Sequence, residues 1–177
     1  MSWLQVELTV DTKFKYTPQC LAAKNAGVIA FIPGGAPADI EDAAASCSQQ
    51  GWHPVYLQSG TAWAPVMGTD PGLKDNTWLI FSQYPYFVTS QPGIKALDAA
   101  MDKYYPGVRT NPNAPSGELV SAWASGMLLK DALQAGRLQP GTTPTTALLL
   151  KGLYSLKGDT LGGLTPPLTF KNGAIET

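Results

Sequence analysis

Few residues in this chain have the types and spacing that chemistry needs. His53 is the one histidine and Cys20 and Cys47 the two cysteines. A Ser–His–Asp arrangement would have to use His53, which sits in Gly51-Trp52-His53-Pro54 just before an apolar run and reads as an exposed turn histidine. One histidine and two cysteines do not assemble a four-ligand zinc site. Glu41 and Asp42 are adjacent in a helical stretch, so they point to different sides and complement the helix dipole rather than pair for acid–base work. Neither a phosphate-binding Gly-rich loop nor a Gly-x-Ser-x-Gly elbow occurs, and Gly34-Gly35 lacks the third glycine of a dinucleotide fingerprint. No enzyme, no cofactor and no metal site are therefore expected.

What remains is the chemistry of binding. Three loops carry ligand-capable groups. Pro33–Pro37 offers Gly34, Gly35 and Ala36, whose backbone N–H groups precede a helix N-terminus. Gln58–Trp63 offers hydrogen-bonding groups on Gln58, Ser59 and Thr61, with Gly60 between them and Trp63 alongside. Gln83–Phe87 offers the aromatic walls and polar tips of Tyr84 and Tyr86.

The elements that must position these loops follow from pattern. Leu4, Val6, Leu8 and Val10 alternate with polar residues, the period of a half-buried strand. Thr17-Pro18 opens a helix through Ala23 that stops at Gly27. Val28–Ile32 is a continuous apolar run, expected to be a strand covered on both faces. Pro37 opens a second helix, with Asp39, Glu41 and Asp42 in its early turns, ending at Gly51. His53–Leu57 and Thr77–Phe81 follow as strands. Strand–helix–strand alternation with short connections predicts an α/β fold with a parallel sheet and flanking helices. All three candidate loops then fall past strand ends, where open sheets take ligands. After a break near Tyr84–Val88 the chain turns helical: Gln91–Tyr105, Ser116–Ala135 and Thr143–Leu153, with Ser116 and Thr143 as expected N-caps. A single late strand is expected at Leu164–Phe170, ending in Lys171-Asn172-Gly173. Cys20 and Cys47 lie on the two early helices, as buried thiols or as a disulfide; the count leaves both open.

Composition narrows the class further. Of 177 residues only 14% are charged, and 12 Lys and Arg against 13 Asp and Glu leave a net charge of −1. No basic surplus is present to neutralise phosphates, which disfavours a nucleic-acid partner. The longest apolar runs fall far short of the roughly 20 residues of a membrane helix. The 44% hydrophobic fraction is enough for a packed core. Low charge balanced by Ser and Thr is a surface style common in exported proteins. The first residues lack the basic and apolar stretches of a signal peptide, so the chain is expected to be cytoplasmic or to have lost a leader.

The order Tyr16-Thr17-Pro18-Gln19-Cys20, Val28–Phe31, Gly34-Gly35-x-Pro37, Gln50-Gly51-Trp52-His53-Pro54 resembles the periplasmic binding proteins of the branched-chain amino-acid (leucine-binding) type. The tail Leu164-Thr165-Pro166-Pro167-Leu168-Thr169-Phe170-Lys171-Asn172-Gly173 is similar to that family's closing segment. The resemblance implies two α/β lobes that close on a small solute and hand it to an ABC-type importer, with about the C-terminal half represented here. It implies residues 1–82 as a segment of the second lobe, 83–90 as a hinge crossing, and 91–177 as a helix-rich return to the first lobe. A ligand-sensing receptor or regulatory domain on the same fold is the alternative. The implied partners are a small-molecule solute, the missing N-terminal lobe or a second copy of the chain, and a membrane importer permease. Export to the periplasm or cell surface is implied too, as is a Cys20–Cys47 disulfide. The binding loops depart from the family's amino-acid binders. The loop whose acid would receive an amino acid's ammonium group reads Gln58-Ser59-Gly60-Thr61 with no acid, and Ala36 replaces a tyrosine. A neutral or anionic solute, with aromatic character suggested by Trp63, Tyr84 and Tyr86, is expected instead of an α-amino acid.

Overall fold

The computed structural model describes residues 16–114 and 116–172. The strand expected at Leu4–Val10 and the turn glycine Gly173 lie outside these, as does the side chain of the expected cap Ser116. The described chain forms two compact units. One takes the described residues of Met1–Phe81 with Asn111–Ser116; the other takes Ser82–Thr110 with Gly117–Thr177.

In the first unit, Pro18 sits in the opening turn of α1 (Thr17–Asn25), where its missing N–H costs nothing. Gly27, at φ +69, lets the chain leave the helix. β1 (Ala30–Phe31), α2 (Pro37–Gln49), β2 (Val55–Ser59) and β3 (Thr77–Ile80) follow. The three strands are parallel in the order β1-β2-β3. Between β2 and β3 the chain makes two short 3-10 turns, Gly60–Ala62 and Pro65–Gly68. Cys20 and Cys47 form a disulfide that ties α1 to α2. Both are fully buried, with Ala23, Trp52, Tyr16, Val28 and Phe31 packed around them.

The expectation that Val28–Ile32 is a strand covered on both faces needs correcting. Only Ala30 and Phe31 pair with β2, and while Phe31 packs on Trp52 and Tyr56, Ile29 and Ile32 are largely exposed. The apolar run signals a sheet that wants two covers, and among the described residues it has one.

The second unit is helical. α3 (Pro92–Tyr104) and α4 (Ser116–Ala135) pack through Ile94, Leu97, Val120 and Ala124, joined by Leu161 and Leu164. α5 (Thr146–Ser155) crosses α4 at Gly152, where a Cβ would fall 1.8 Å from the Ala132 carbonyl oxygen, so only glycine allows this approach. The α5 start moves from Thr143 to Thr146 because Thr145 caps it: its hydroxyl accepts the Leu148 N–H at 3.2 Å. The late strand also shrinks. Leu161, Gly162 and Gly163 adopt φ of 50, 69 and 89, a turn that drives Leu164 into the core. Pro166 and Pro167 then have no N–H for a ladder. β5 is left as Leu168–Thr169, antiparallel to β4 (Lys157–Asp159), a strand that the apolar pattern does not reveal because its residues are Lys-Gly-Asp.

Candidate ligand-binding site

Two of the three candidate loops lie in the first unit, beyond the carboxyl ends of β1 and β2. In the loop 33–37, Gly35 takes φ +137 while the Asp39 side chain folds back beneath it. The Ala36 N–H donates to Asp39 Oδ2 at 3.0 Å. Pro37 has no N–H, so this carboxylate satisfies one orphan donor of α2 and places negative charge where the helix would attract an anion. Of the residues expected to bind through their backbone, Ala36 is thus already engaged. Gly34 keeps the open approach, with nothing within 4 Å of where a Cβ would stand, while a Cβ at Gly35 would fall 2.9 Å from the Asp39 side chain.

At the end of β2, alternation sends Tyr56 and Gln58 inward and Ser59 outward. Gln58 is only 2% exposed, and its Nε2 has no hydrogen-bond partner among the described residues. A buried, unpaired amide donor costs on the order of 1–3 kcal/mol. Ser59 and Thr61 turn to each other: their hydroxyl oxygens are 2.7 Å apart, and Ser59 Oγ accepts the Thr61 N–H at 3.4 Å. Gly60 serves packing, because a Cβ there would stand 2.1 Å from the Phe81 ring. Trp63, expected beside these polar groups as one source of the solute's aromatic character, is buried rather than presented to a solute.

The third loop belongs to the second unit. Tyr84 is 41% exposed, and its N–H donates to the Leu164 carbonyl at 2.7 Å, which fixes the loop on that unit's core. Gln83 Nε2 donates to Ser121 Oγ on α4. Tyr86 is held tightly: the Arg109 guanidinium lies over its ring, 5.4 Å from the centroid, and donates to its carbonyl at 2.9 Å. Phe87 meets its edge. Arg109 also pairs with Asp98, Nε to Oδ1 at 2.6 Å, with both side chains mostly buried. Burial pushes the Tyr86 phenol up, and the Arg109 charge opposes that rise. Arg109 is the organising residue that the sequence pattern misses, since one arginine in a Pro-Gly turn carries no spacing signal. Tyr84 has the accessible ring of this pair; Tyr86 is engaged in holding the unit together.

His53 is exposed in its turn, as expected. No group of three or more His, Cys, Asp or Glu able to hold a metal occurs among the described residues. No helix among them is long and apolar enough to cross a membrane. A shallow groove of about 370 Å³ runs along α4 past Gly126, Leu129, Lys130, Leu133, Gln134 and Leu138.

A parallel sheet with glycine-containing and polar loops past its strand ends is the arrangement on which open α/β folds hold small ligands. Residues 6–173 match the periplasmic binding protein pattern, and the chain belongs to that family, of the branched-chain amino-acid-binding type. Among solved structures it is similar to a fatty acid ABC transporter substrate-binding protein from Thermomonospora curvata, at 21% identity and a TM-score of 0.66. That match covers 90% of this chain and 39% of the other, so this chain spans well under half of its neighbour's length. No curated protein sequence matches at a significant level.

Proposed function

We propose that this chain is part of the substrate-binding component of an ABC-type importer, exported to the periplasm or cell surface and acting by binding rather than catalysis. Family membership over residues 6–173 is the observation that carries this reading. Within it, residues 83–90 are the hinge crossing. Gly34, Gly35, Gln58, Ser59, Gly60 and Thr61 form one wall of a cleft that a second lobe completes. The partners are the solute, the remaining lobe and a membrane permease.

The solute is neutral or a carboxylic acid with an apolar body. The loop 58–61 holds no acid to receive an ammonium group, and Gln58 carries an unused amide donor that would favour an oxygen acceptor. Asp39 already occupies the Ala36 N–H at the start of α2, so the solute's oxygen acceptor is assigned to Gln58 rather than to that helix N-terminus. The test is calorimetric titration of the complete two-lobed protein with leucine, an aromatic acid and a medium-chain fatty acid. Binding of an acid with leucine silent is expected. Tight binding of leucine alone would overturn the choice of solute, and silence of the whole panel in a folded protein would count against this class of solute.

A further inference from the structure

The chain passes from one unit to the other three times, after Phe81, after Thr110 and after Ser116. The second unit's residues beside these crossings are Ser82, Thr110 and Gly117. Residues 82–91 and 111–114 belong to no helix or strand, and Val108–Thr110 make one short 3-10 turn. Irregular segments have no backbone ladder to stiffen them, so their order has to come from other bonds.

Two side chains supply such bonds, and both act inside the second unit. Arg109, just ahead of the second crossing, reaches the segment that follows the first. Its Nη2 donates to the Tyr86 carbonyl at 2.9 Å, and its guanidinium lies over the Tyr86 ring. Its Nε meets Asp98 Oδ1 at 2.6 Å, which anchors the group to α3. A planar fork can hold two acceptors and a ring at once, and a lysine ammonium cannot. Gln83 works in the other direction. Ser82 Oγ donates to Gln83 Oε1, and Gln83 Nε2 donates to Ser121 Oγ. Ser121 Oγ in turn donates to the Gly117 carbonyl at 3.2 Å, beside the third crossing. Between these two ties the Tyr84 N–H donates to the Leu164 carbonyl, and Tyr86 packs on the unit's core.

We propose that Arg109 and Gln83 are positioning residues that fasten the residues beside all three crossings into one stiff element. The first segment is tied to the second through Arg109 and to the third through Gln83. Calling that element a hinge rests on the proposed function. A stiff hinge leaves less conformational freedom to lose when solute is bound, so both residues support affinity without touching the solute.

The test is amide hydrogen exchange on this chain and on its Arg109→Lys and Gln83→Met variants. Arg109→Lys keeps the charge and loses the fork; Gln83→Met keeps the length and loses the amide. The Tyr84, Val88 and Thr110 N–H groups donate to the carbonyls of Leu164, Pro85 and Gly107, none of them to Arg109 or Gln83. Each variant is expected to speed exchange severalfold at all three, with Leu97 and Ala124 in the core unchanged. Acceleration confined to the substituted residue's own segment would overturn the proposal, as would equal acceleration at Leu97 and Ala124. Calorimetric titration of the complete two-lobed protein with decanoate reads the consequence: both variants are expected to bind it severalfold more weakly. Unchanged affinity in a protein that binds decanoate would overturn the positioning role. A parent protein silent toward decanoate, leucine and an aromatic acid would sink the proposed solute instead, and the exchange pattern would still decide whether the crossings are fastened together.

Discussion

Tyr56 shows how one buried residue sets a pH limit. Burial, with a smaller contribution from the Asp70 carboxylate, pushes its phenol up to about 12. The unfolded chain releases that proton near 10. Between those values the folded state binds more protons than the unfolded one, so stability falls as pH rises from about 10 to about 12. A loss on the order of 1–2 kcal/mol is expected over this window, allowing for partial solvent screening. Urea unfolding at stepped pH should show the decline, and Tyr56→Phe should flatten it; an equally steep decline in the variant would show that another group titrates. Gly60 is the steric counterpart. Its buried position against Phe81 leaves no room for a methyl group, so Gly60→Ala is expected to cost about 1–3 kcal/mol, read as a lower urea midpoint at unchanged slope.

Among the elements, α1 and α2 depend most on a single bond. The Cys20–Cys47 disulfide spans 27 residues, a loop whose closure removes unfolded-state entropy worth about 3–4 kcal/mol in the chain-entropy account. Cys20→Ala combined with Cys47→Ala is expected to lower the thermal midpoint markedly, and intact mass of the parent should be two hydrogen atoms below that of its reduced form. A parent mass equal to the reduced form would show that the bond does not form. The sequence placed both cysteines on helices and left their pairing open; the resemblance implied the bond, and packing of the helices on one sheet face brings the sulfurs together. Element edges were less legible. The strand expected at 164–170 lost its first residues to a left-handed turn and two prolines, and the Lys-Gly-Asp strand was invisible to a hydrophobic pattern because a bulged edge strand buries little.

For the whole molecule, the separate cores of the two units carry a prediction of their own. Reduction of the disulfide is expected to speed hydrogen exchange at Cys20, Ala23 and Tyr56 while leaving Ile94, Leu97 and Val120 protected, because the latter share no buried cluster with the bond. Uniform acceleration across both sets would show a single cooperative unit instead. Arg109 belongs to this scale as well. Its pairing with Asp98 and its position over Tyr86 turn an aromatic pair expected at a ligand surface into one accessible ring, Tyr84, and one structural ring, Tyr86.

By itself the sequence determined the alternation of strands and helices, the helix starts at prolines, the glycine exits and the lack of catalytic spacing, because these depend on residues close together in the chain. Family order was legible for the same reason: it is a series of local motifs. Only the tertiary structure decided that Trp63 is core and Trp78 is bare, that Asp39 engages the Ala36 donor, and that the Gln58 amide is buried unpaired. Those outcomes depend on which elements lie across from one another, which no local pattern in the chain records.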